Sequence, residues 1–573
     1  MNPNIAPLVV GVTSHRNIAA DEWEPIRLRV RDFFARLQRE FPHLPLVVLS
    51  ALAEGGDQLA AEEALAVDAQ LIATLPMPRE QYADDFTDAA ALARFDALCD
   101  GAPIIHVGGV RRASRGAASG LLEGKERDLH YAQAGMYISD HCHILLAIWD
   151  GKGLGRLGGT AQIATYHLTG ERPGHAELEH PDVRNLFGSR SERLAYHVVC
   201  SRDQDDGKPE LPLQPLQLLW RAGRTQCEGT RPMPDTFRYA FERMDEFNLD
   251  TDHHRASIAA HAGLAAQAGL EPDAAGRIDE AFRRADWLAV HFQRRVLVSM
   301  RALYTLAALM GIAFTVYDNV PQQDGMLYVF LLLFALGGVI VFTANRRGWH
   351  RKFLDYRALA EGLRVQFYWE QAGISLASVR EFPSDNFLQK QDVELRWVRD
   401  VMRALALDRA IEGRQKATVS MAEVIDDWVG NGTQGGQLGY YTRKAAQRAR
   451  THRVTEAIGI AALCVGIAIS IALAVLARQL SPDAKNELVM TMAVFSIVGG
   501  VRSAYAFKKA DKELIKQYRY MQNLFTEARG TLDRAAGADE RRDILRLLGE
   551  AALTEQVEWA LMHRQRPLEH NRL

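Results

Sequence analysis

Three short turns concentrate the residues of this chain that could hold a phosphorylated ligand. The first is Gly11-Val12-Thr13-Ser14-His15-Arg16. The second runs from Ser50 to Glu54-Gly55-Gly56-Asp57, and the third follows Trp149-Asp150 with Gly158-Gly159-Thr160-Ala161-Gln162. Glycines let backbone N–H groups approach phosphate oxygens, and a helix N-terminus adds a favourable dipole. Arg16 and Arg79 carry planar guanidinium groups that match phosphate oxygens in pairs, although either is also an ordinary surface residue type. His15 can donate to phosphate or ribose, or cap a helix. Trp149 either stacks on a base or packs in the core, the commoner fate of a tryptophan ending an apolar strand. Glu54, Asp57 and Asp150 are the carboxylates available for acid–base work if the site is catalytic. His130, His141 and His143 invite a metal reading, but residues 141–143 alternate faces on a strand and no carboxylate set accompanies them, so no metal site is expected.

Those turns need strands and helices to place them, and the flanking patterns supply both. Pro7 to Val12 and Leu44 to Ser50 are short apolar runs, each leading through a turn into a helical pattern, Asp21 to Phe41 and Gln58 to Val67. Further strands are expected at Gln70 to Leu75, Pro103 to Val107 and His143 to Trp149, with helices around Ala89 to Cys99 and from Ala161. Strands alternating with helices predict an α/β domain with a parallel sheet covered on both faces. Loops leaving the C-terminal strand ends of such a sheet form the ligand crevice, and each glycine turn sits at such a corner. One turn alone would signify only a tight reversal; three together define a nucleotide-type pocket.

The second half of the 573-residue chain reads differently. Ala302 to Tyr317, Met326 to Ala344, Ala457 to Ala477 and Leu488 to Val501 are apolar segments in two close pairs. About 20 mostly apolar residues cross a bilayer core, so the middle two suffice alone. The outer two reach that length by running past Arg301 to Val296 and past Arg502 to Phe507, with the arginines snorkelling. The alternative is two buried helix pairs of a large soluble core. Arg294, Arg295 and Arg301 precede the first pair and Arg346, Arg347, Arg351 and Lys352 follow it. Arg448, Arg450 and Arg453 precede the second and Lys508, Lys509 and Lys512 follow it. That asymmetry predicts an inner-membrane protein with both termini cytoplasmic. The expected organisation is therefore a nucleotide-binding domain over 1–205, a proline-rich linker and helical connector over 206–295, and membrane hairpins at 296–345 and 455–507. Cytoplasmic helices fill 346–454 and 508–573, and the helix before residue 296 is expected to continue into the first span. A formal net charge of -3 lacks the basic excess of a general nucleic-acid binder. Five cysteines without C-x-x-C spacing indicate neither a disulfide framework nor a zinc site, and no resident cofactor is expected.

GVTSHRN at Gly11 to Asn17, SALAEGGDQLAAEEAL at Ser50 to Leu65, LPMPREQY at Leu75 to Tyr82, and LLAIWDG with GGTAQ at Leu145 to Gln162 resemble the SLOG superfamily. Its Rossmann-like domains include the LOG nucleotide phosphoribohydrolases, DprA and the N-terminal ligand-binding region of melastatin-type TRP channels. The resemblance covers roughly the first 200 residues and implies recognition of a nucleotide-derived signal such as a cyclic nucleotide or an ADP-ribose-like molecule. LOG hydrolases place a glutamate within the motif that here reads Gly158-Gly159-Thr160-Ala161-Gln162, and an amide is no acid or base. Binding without turnover is therefore favoured, with a membrane-anchored hydrolase using Glu54, Asp57 or Asp150 as the alternative. The paired spans are similar in architecture to SLATT membrane effectors of prokaryotic defence systems. Together these resemblances imply a homo-oligomeric effector whose ligand opens a pore or disturbs the bilayer; a scaffold with a vestigial crevice is a third reading.

Overall fold

Strand β1 (Leu8–Ser14) is buried along its whole length, as a strand with parallel neighbours on both edges and helices on both faces must be. It pairs in parallel with β2 (Leu46–Ser50) and β5 (Ile144–Trp149). Around them lie β3 (Gln70–Leu75), β4 (Ile104–His106), β6 (Leu194–Val199) and β7 (Leu218–Ala222), in the order β4-β3-β2-β1-β5-β6-β7. Only β7 runs antiparallel. The computed structural model describes residues 6–107, 124–153, 156–170, 193–223, 232–269, 276–320, 322–374, 395–412, 419–431, 435–476, 478–509 and 511–564. Cys227 and part of the glycine-rich stretch 430–439 lie outside them. The expected α/β architecture of the N-terminal region is present, and the sheet continues past residue 205 through β7.

Helices α1 (Trp23–Glu40), α2 (Gly56–Ala66), α3 (Arg79–Ala83), α4 (Ala89–Asp100), α5 (Lys125–His141) and α6 (Thr160–Thr169) connect or flank these strands. The period-two alternation sorts side chains between faces. On one face Tyr196 stacks on Phe33 of α1, with ring centroids 4.3 Å apart. On the other, Val9, Val47, Leu49, Ile72, Ile105, Leu145 and Ala195 form one cluster with Ile138 and Cys142 at the end of α5. Ala404 and Leu407 belong to the same cluster. They come from α13 (Arg396–Glu412), which lies in sequence between the two groups of apolar helices. Helix α7 (Asp235–His253) ties together the segments that lead into β1 and β2: Asn248 donates to Ala6 O (3.0 Å) and His43 O (2.8 Å). The first compact unit thus comprises Met1–Ala259 and Leu376–Gln415, including the short helix α8 (Arg255–Ala259).

The second unit, Ala260–Ser375 and Lys416–Leu573, is helical among its described residues. After the short α9 (Leu264–Gln267), α10 (Gly276–Asn319) is one helix of 44 residues, about 66 Å long at the usual rise. The expected continuation of the polar helix into the first apolar segment is therefore present. It packs on α11 (Gly325–Arg346) and α12 (Trp349–Gln371). Next come α14 (Met421–Trp428), α15 (Gly436–Val475), α16 (Pro482–Lys508), α17 (Asp511–Arg534) and α18 (Ala538–Arg564). Helix α16 starts where Ser481 Oγ accepts from Ala484 N–H and Pro482 takes the first turn.

Among the described residues, four helices are long and apolar enough to cross a membrane. Their apolar residues face outward: α11 buries only Ala344, and Leu332, Phe334, Val339 and Phe342 are each over 60% exposed. An exposed apolar surface this continuous is unlike that of a soluble monomer. Leu336→Asp separates the two environments. At a water-facing site its cost is within about 0.5 kcal/mol, whereas a carboxylate near a span centre costs roughly 2.5–3.5 kcal/mol. The expected outcome is a large fall in carbonate-resistant membrane insertion; insertion equal to wild type would mean that α11 does not face lipid.

Candidate functional site

The C-terminal end of β1 gathers the first turn, the second turn and the start of α6. Ser14 Oγ donates to Asp57 Oδ1 (2.6 Å) and Thr160 Oγ1 donates to Ser14 O (2.5 Å). His15 Nε2 lies 3.1 Å from Asp150 Oδ1 at the end of β5, and Gly56 N–H donates to His15 O (3.3 Å). Ser14, His15, Asp57, Asp150 and Thr160 are all buried. They lie beside the boundary between β1 and β5, where the strand order reverses direction, the position outside the strand ends at which open α/β sheets commonly take ligands.

The glycines divide by role. Gly55 has φ +99°, and a Cβ there would stand 2.4 Å from Arg16 O, so this residue lets the second turn press against the first. Gly158 has φ +76° and would bring a Cβ within 2.6 Å of Ala132 N. Its N–H donates to Gln162 Oε1 (2.9 Å), so the Gln162 amide closes its own turn. Gly159 N–H donates to Arg156 O (2.9 Å). A Cβ on Gly56 would meet Ser14 Cβ at 2.7 Å. Gly11 lies in mid-strand facing α5, where a Cβ would be 2.7 Å from Ile138 Cγ2. Four of these glycines therefore serve close packing between neighbouring elements, and the amides of Gly56, Gly158 and Gly159 are already partnered.

The remaining candidates separate just as clearly. Arg16 is exposed beside this cluster, 5.6 Å from the Tyr131 ring centroid, and forms no ion pair among the described residues. Arg79 is engaged elsewhere, with Asp96 (2.7 Å) and Asp100 (2.6 Å) of α4. Trp149 is buried, donates to Lys152 O (3.1 Å) and packs against Ala161 and Ala164. Thr13 pairs with Ala147 inside the sheet, Ser50 Oγ accepts from Leu52 N–H (3.0 Å), and partly exposed Glu54 accepts from Thr87 Oγ1 (3.3 Å). His130, His141 and His143 each bond a backbone carbonyl, and no metal-binding group occurs among the described residues. Sequence reading passed over Tyr131, and also Arg202, whose Nε donates to Asn17 Oδ1 (3.1 Å) and ties the loop after β6 to the first turn. A basic residue just past an apolar strand was the available signal for Arg202; nothing local marks Tyr131.

Electrostatically the two buried carboxylates diverge. Burial pushes the Asp57 carboxyl up to about 6, against the opposing pull of the Ser14 hydrogen bond and the Arg16 charge. Burial also raises Asp150, but the neighbouring His15 ring, the Lys152 N–H and Arg202 outweigh it and hold the group below its ordinary value. Carboxylates pushed apart in this way suit opposite proton roles. No protein-family model, curated protein or solved structure matches this chain.

Because folding raises the Asp57 pKa, the folded state holds that proton more tightly than the unfolded chain. Stability is therefore lost as pH rises from the ordinary carboxylate value through about 6. Asp57→Asn is expected to stabilise the chain above pH 6, by at most about 3 kcal/mol, and the gain should vanish below pH 4. Thermal unfolding of both proteins in detergent at pH 7.5 and pH 4 checks this; a gain independent of pH would contradict it.

Proposed function

We propose that this chain is a membrane effector gated by a nucleotide-derived ligand bound in the crevice beside the ends of β1 and β5. The observation carrying this reading is Arg16: an exposed guanidinium without an ion-pair partner among the described residues, beside a site whose buried polar groups converge. A guanidinium in that position suits phosphate oxygens, and a buried carboxylate such as Asp150 suits ribose hydroxyls. The resemblance to SLOG domains supports a Rossmann-like sensor of a cyclic nucleotide or ADP-ribose-like signal. The four apolar helices support a multi-pass membrane region, which we read as two SLATT-like hairpins with both termini on the cytoplasmic side of the inner membrane. Four narrow spans enclose no channel by themselves, so the working form is a homo-oligomer that opens a pore or disturbs the bilayer, in the manner of prokaryotic antiviral defence effectors. Ligand contacts must differ between two conformations for such gating to occur.

A second reading, an anchored nucleotide hydrolase, draws on the opposed shifts of Asp57 and Asp150. Against it stands Gln162, which is committed to the Gly158 turn.

Purified protein in dye-loaded liposomes, given a panel of nucleotides, cyclic nucleotides and ADP-ribose, tests both when leakage and ligand chemistry are followed together. Leakage triggered by an unconsumed ligand is expected. Arg16→Ala should weaken the response about 10- to 100-fold, the equivalent of roughly 1.5–3 kcal/mol for hydrogen bonds to a charged group. Arg79→Ala should leave ligand affinity unchanged. Ligand consumption without leakage would establish the anchored enzyme instead, and neither leakage nor consumption with any compound would remove the nucleotide reading.

A further inference from the structure

Where α10 enters its apolar stretch, the second unit is rich in cations and poor in counterions. Neither residues 287–302 of α10 nor residues 343–354, across the junction of α11 and α12, include an Asp or Glu. Arg294, Arg301, Arg346 and Arg347 lie in these stretches, all exposed, and none forms an ion pair among the described residues.

Side-chain contacts bring the two stretches to one level. The Arg295 guanidinium lies 5.3 Å from the Trp349 ring centroid, and Lys352 Nζ lies 5.2 Å from that of Phe292. Gly348, with φ +59°, separates α11 from α12, so Arg346 and Arg347 are exposed just before Trp349 packs under Arg295. Arg294, Arg346 and Arg347 therefore all stand within a turn of the same cation–aromatic contact. The cytoplasmic end of α16 is built alike. Tyr304, less than one turn beyond Arg301, meets Tyr505 at 5.4 Å between ring centroids and donates to Ala504 O (3.3 Å). Lys509 Nζ lies 5.4 Å from the Tyr505 ring centroid.

Apolar surface begins immediately beyond these cations. Val298 is 63% exposed between Arg294 and Arg301, and Phe342 is 64% exposed one turn before Arg346. An acidic protein or a free phosphate would satisfy the arginines and leave that apolar surface in water. A phospholipid satisfies both, because its headgroup phosphate and acyl chains are layered in the same order as the arginines and the apolar residues. Guanidinium groups not engaged by carboxylates match phosphate oxygens in pairs. Trp349, Tyr304 and Tyr505 mark the boundary, as tryptophan and tyrosine do where hydrocarbon meets headgroups.

We propose that Arg346 and Arg347, with Arg294 on the neighbouring helix, form a binding site for the headgroup of an anionic phospholipid at the level of Trp349. The site rests on the reading that α11 faces lipid, and holds whatever ligand the first unit takes.

Full-length protein in a non-ionic detergent is titrated with dioleoyl phosphatidylglycerol or dioleoyl phosphatidylcholine, and bound lipid is followed by native mass spectrometry. Wild type is expected to hold phosphatidylglycerol at least about tenfold more tightly. Arg346→Gln/Arg347→Gln should weaken that binding about 25-fold, at roughly fivefold per charge near an anionic surface. The charge-matched Arg478→Gln/Lys485→Gln, around the opposite end of α16, should leave it unchanged. Should the first double variant not fold, Arg294→Gln is expected to weaken binding about fivefold. Equal affinity for the two lipids, or equal losses in the two double variants, would overturn the proposal. Displacement of the lipid by inorganic phosphate would assign the site to a free anion and overturn it as well. Failure of wild type to insert into liposomes of either lipid would remove the membrane reading and this site with it, whereas insertion without a phosphatidylglycerol preference overturns the site alone.

Discussion

The C-terminal end of β1 is the constraint on which the first unit's site depends. Ser14 uses its hydroxyl on Asp57 and its carbonyl on Thr160, while His15 engages Asp150 through its ring and Gly56 through its carbonyl. Two adjacent residues thereby fix the start of α2, the start of α6 and the end of β5. Such convergence requires a central strand with loops on both sides, which the order β2-β1-β5 provides. It also explains Gly55 and Gly56, because any side chain there would collide with the backbone of Arg16 or with Ser14. The same packing buries two carboxylates, a cost that proteins carry where groups must bind or exchange protons.

Local periodicity made most of the first unit legible. Apolar runs bounded by turns mark β1, β2, β3 and β5 because parallel central strands are buried on both faces and need no alternation. The three strand-end turns are legible in the sequence, whereas the packing contacts of their glycines are not. Whether Gly11 faces a ligand or Ile138 depends on which sheet face α5 covers, a tertiary fact with no local trace. Arg79 and Arg16 look alike in sequence, yet acidic residues one turn apart on α4, Asp96 and Asp100, claim the first and leave the second open. β7 was hidden because its apolar residues sit amid proline-rich segments that read as linker. α13 was hidden more deeply, since an amphipathic helix does not disclose which face of which sheet it covers.

In the second unit, composition located the four apolar segments and the helices gave them their length. The two outer segments look short only when the count stops at a charge, for α10 and α16 run uninterrupted past Arg301 and Arg502. Outward apolar residues on α11 and α15 then mean something different from the same residues in a soluble fold. There they would demand a protein partner, whereas a bilayer supplies the contact without one.

The polar helices that continue these segments are held by charge as well as by packing. Asp286 of α10 bonds Arg357 of α12 (3.2 Å), and Arg357 and Arg364 both engage Glu361 on the same helix. Asp355, fully buried on α12, pairs with Arg351 and with Arg564 of α18. Buried ion pairs gain little net stability because desolvation offsets attraction. Their stronger effect is on register: sliding α12 by one turn along α10 keeps apolar contact but strands Asp286 and Arg357 without each other. Apolar side chains alone tolerate such slips, whereas a directional ion pair between two half-buried groups is made at one register only. Since α10 is continuous, a register set between α10 and α12 at Asp286 also sets the rotation of the apolar stretch beginning some ten residues later, at 1.5 Å of rise per residue. The ionic contacts thus select one register of α12 on α10, and with it the direction in which the continuous α10 presents its apolar stretch.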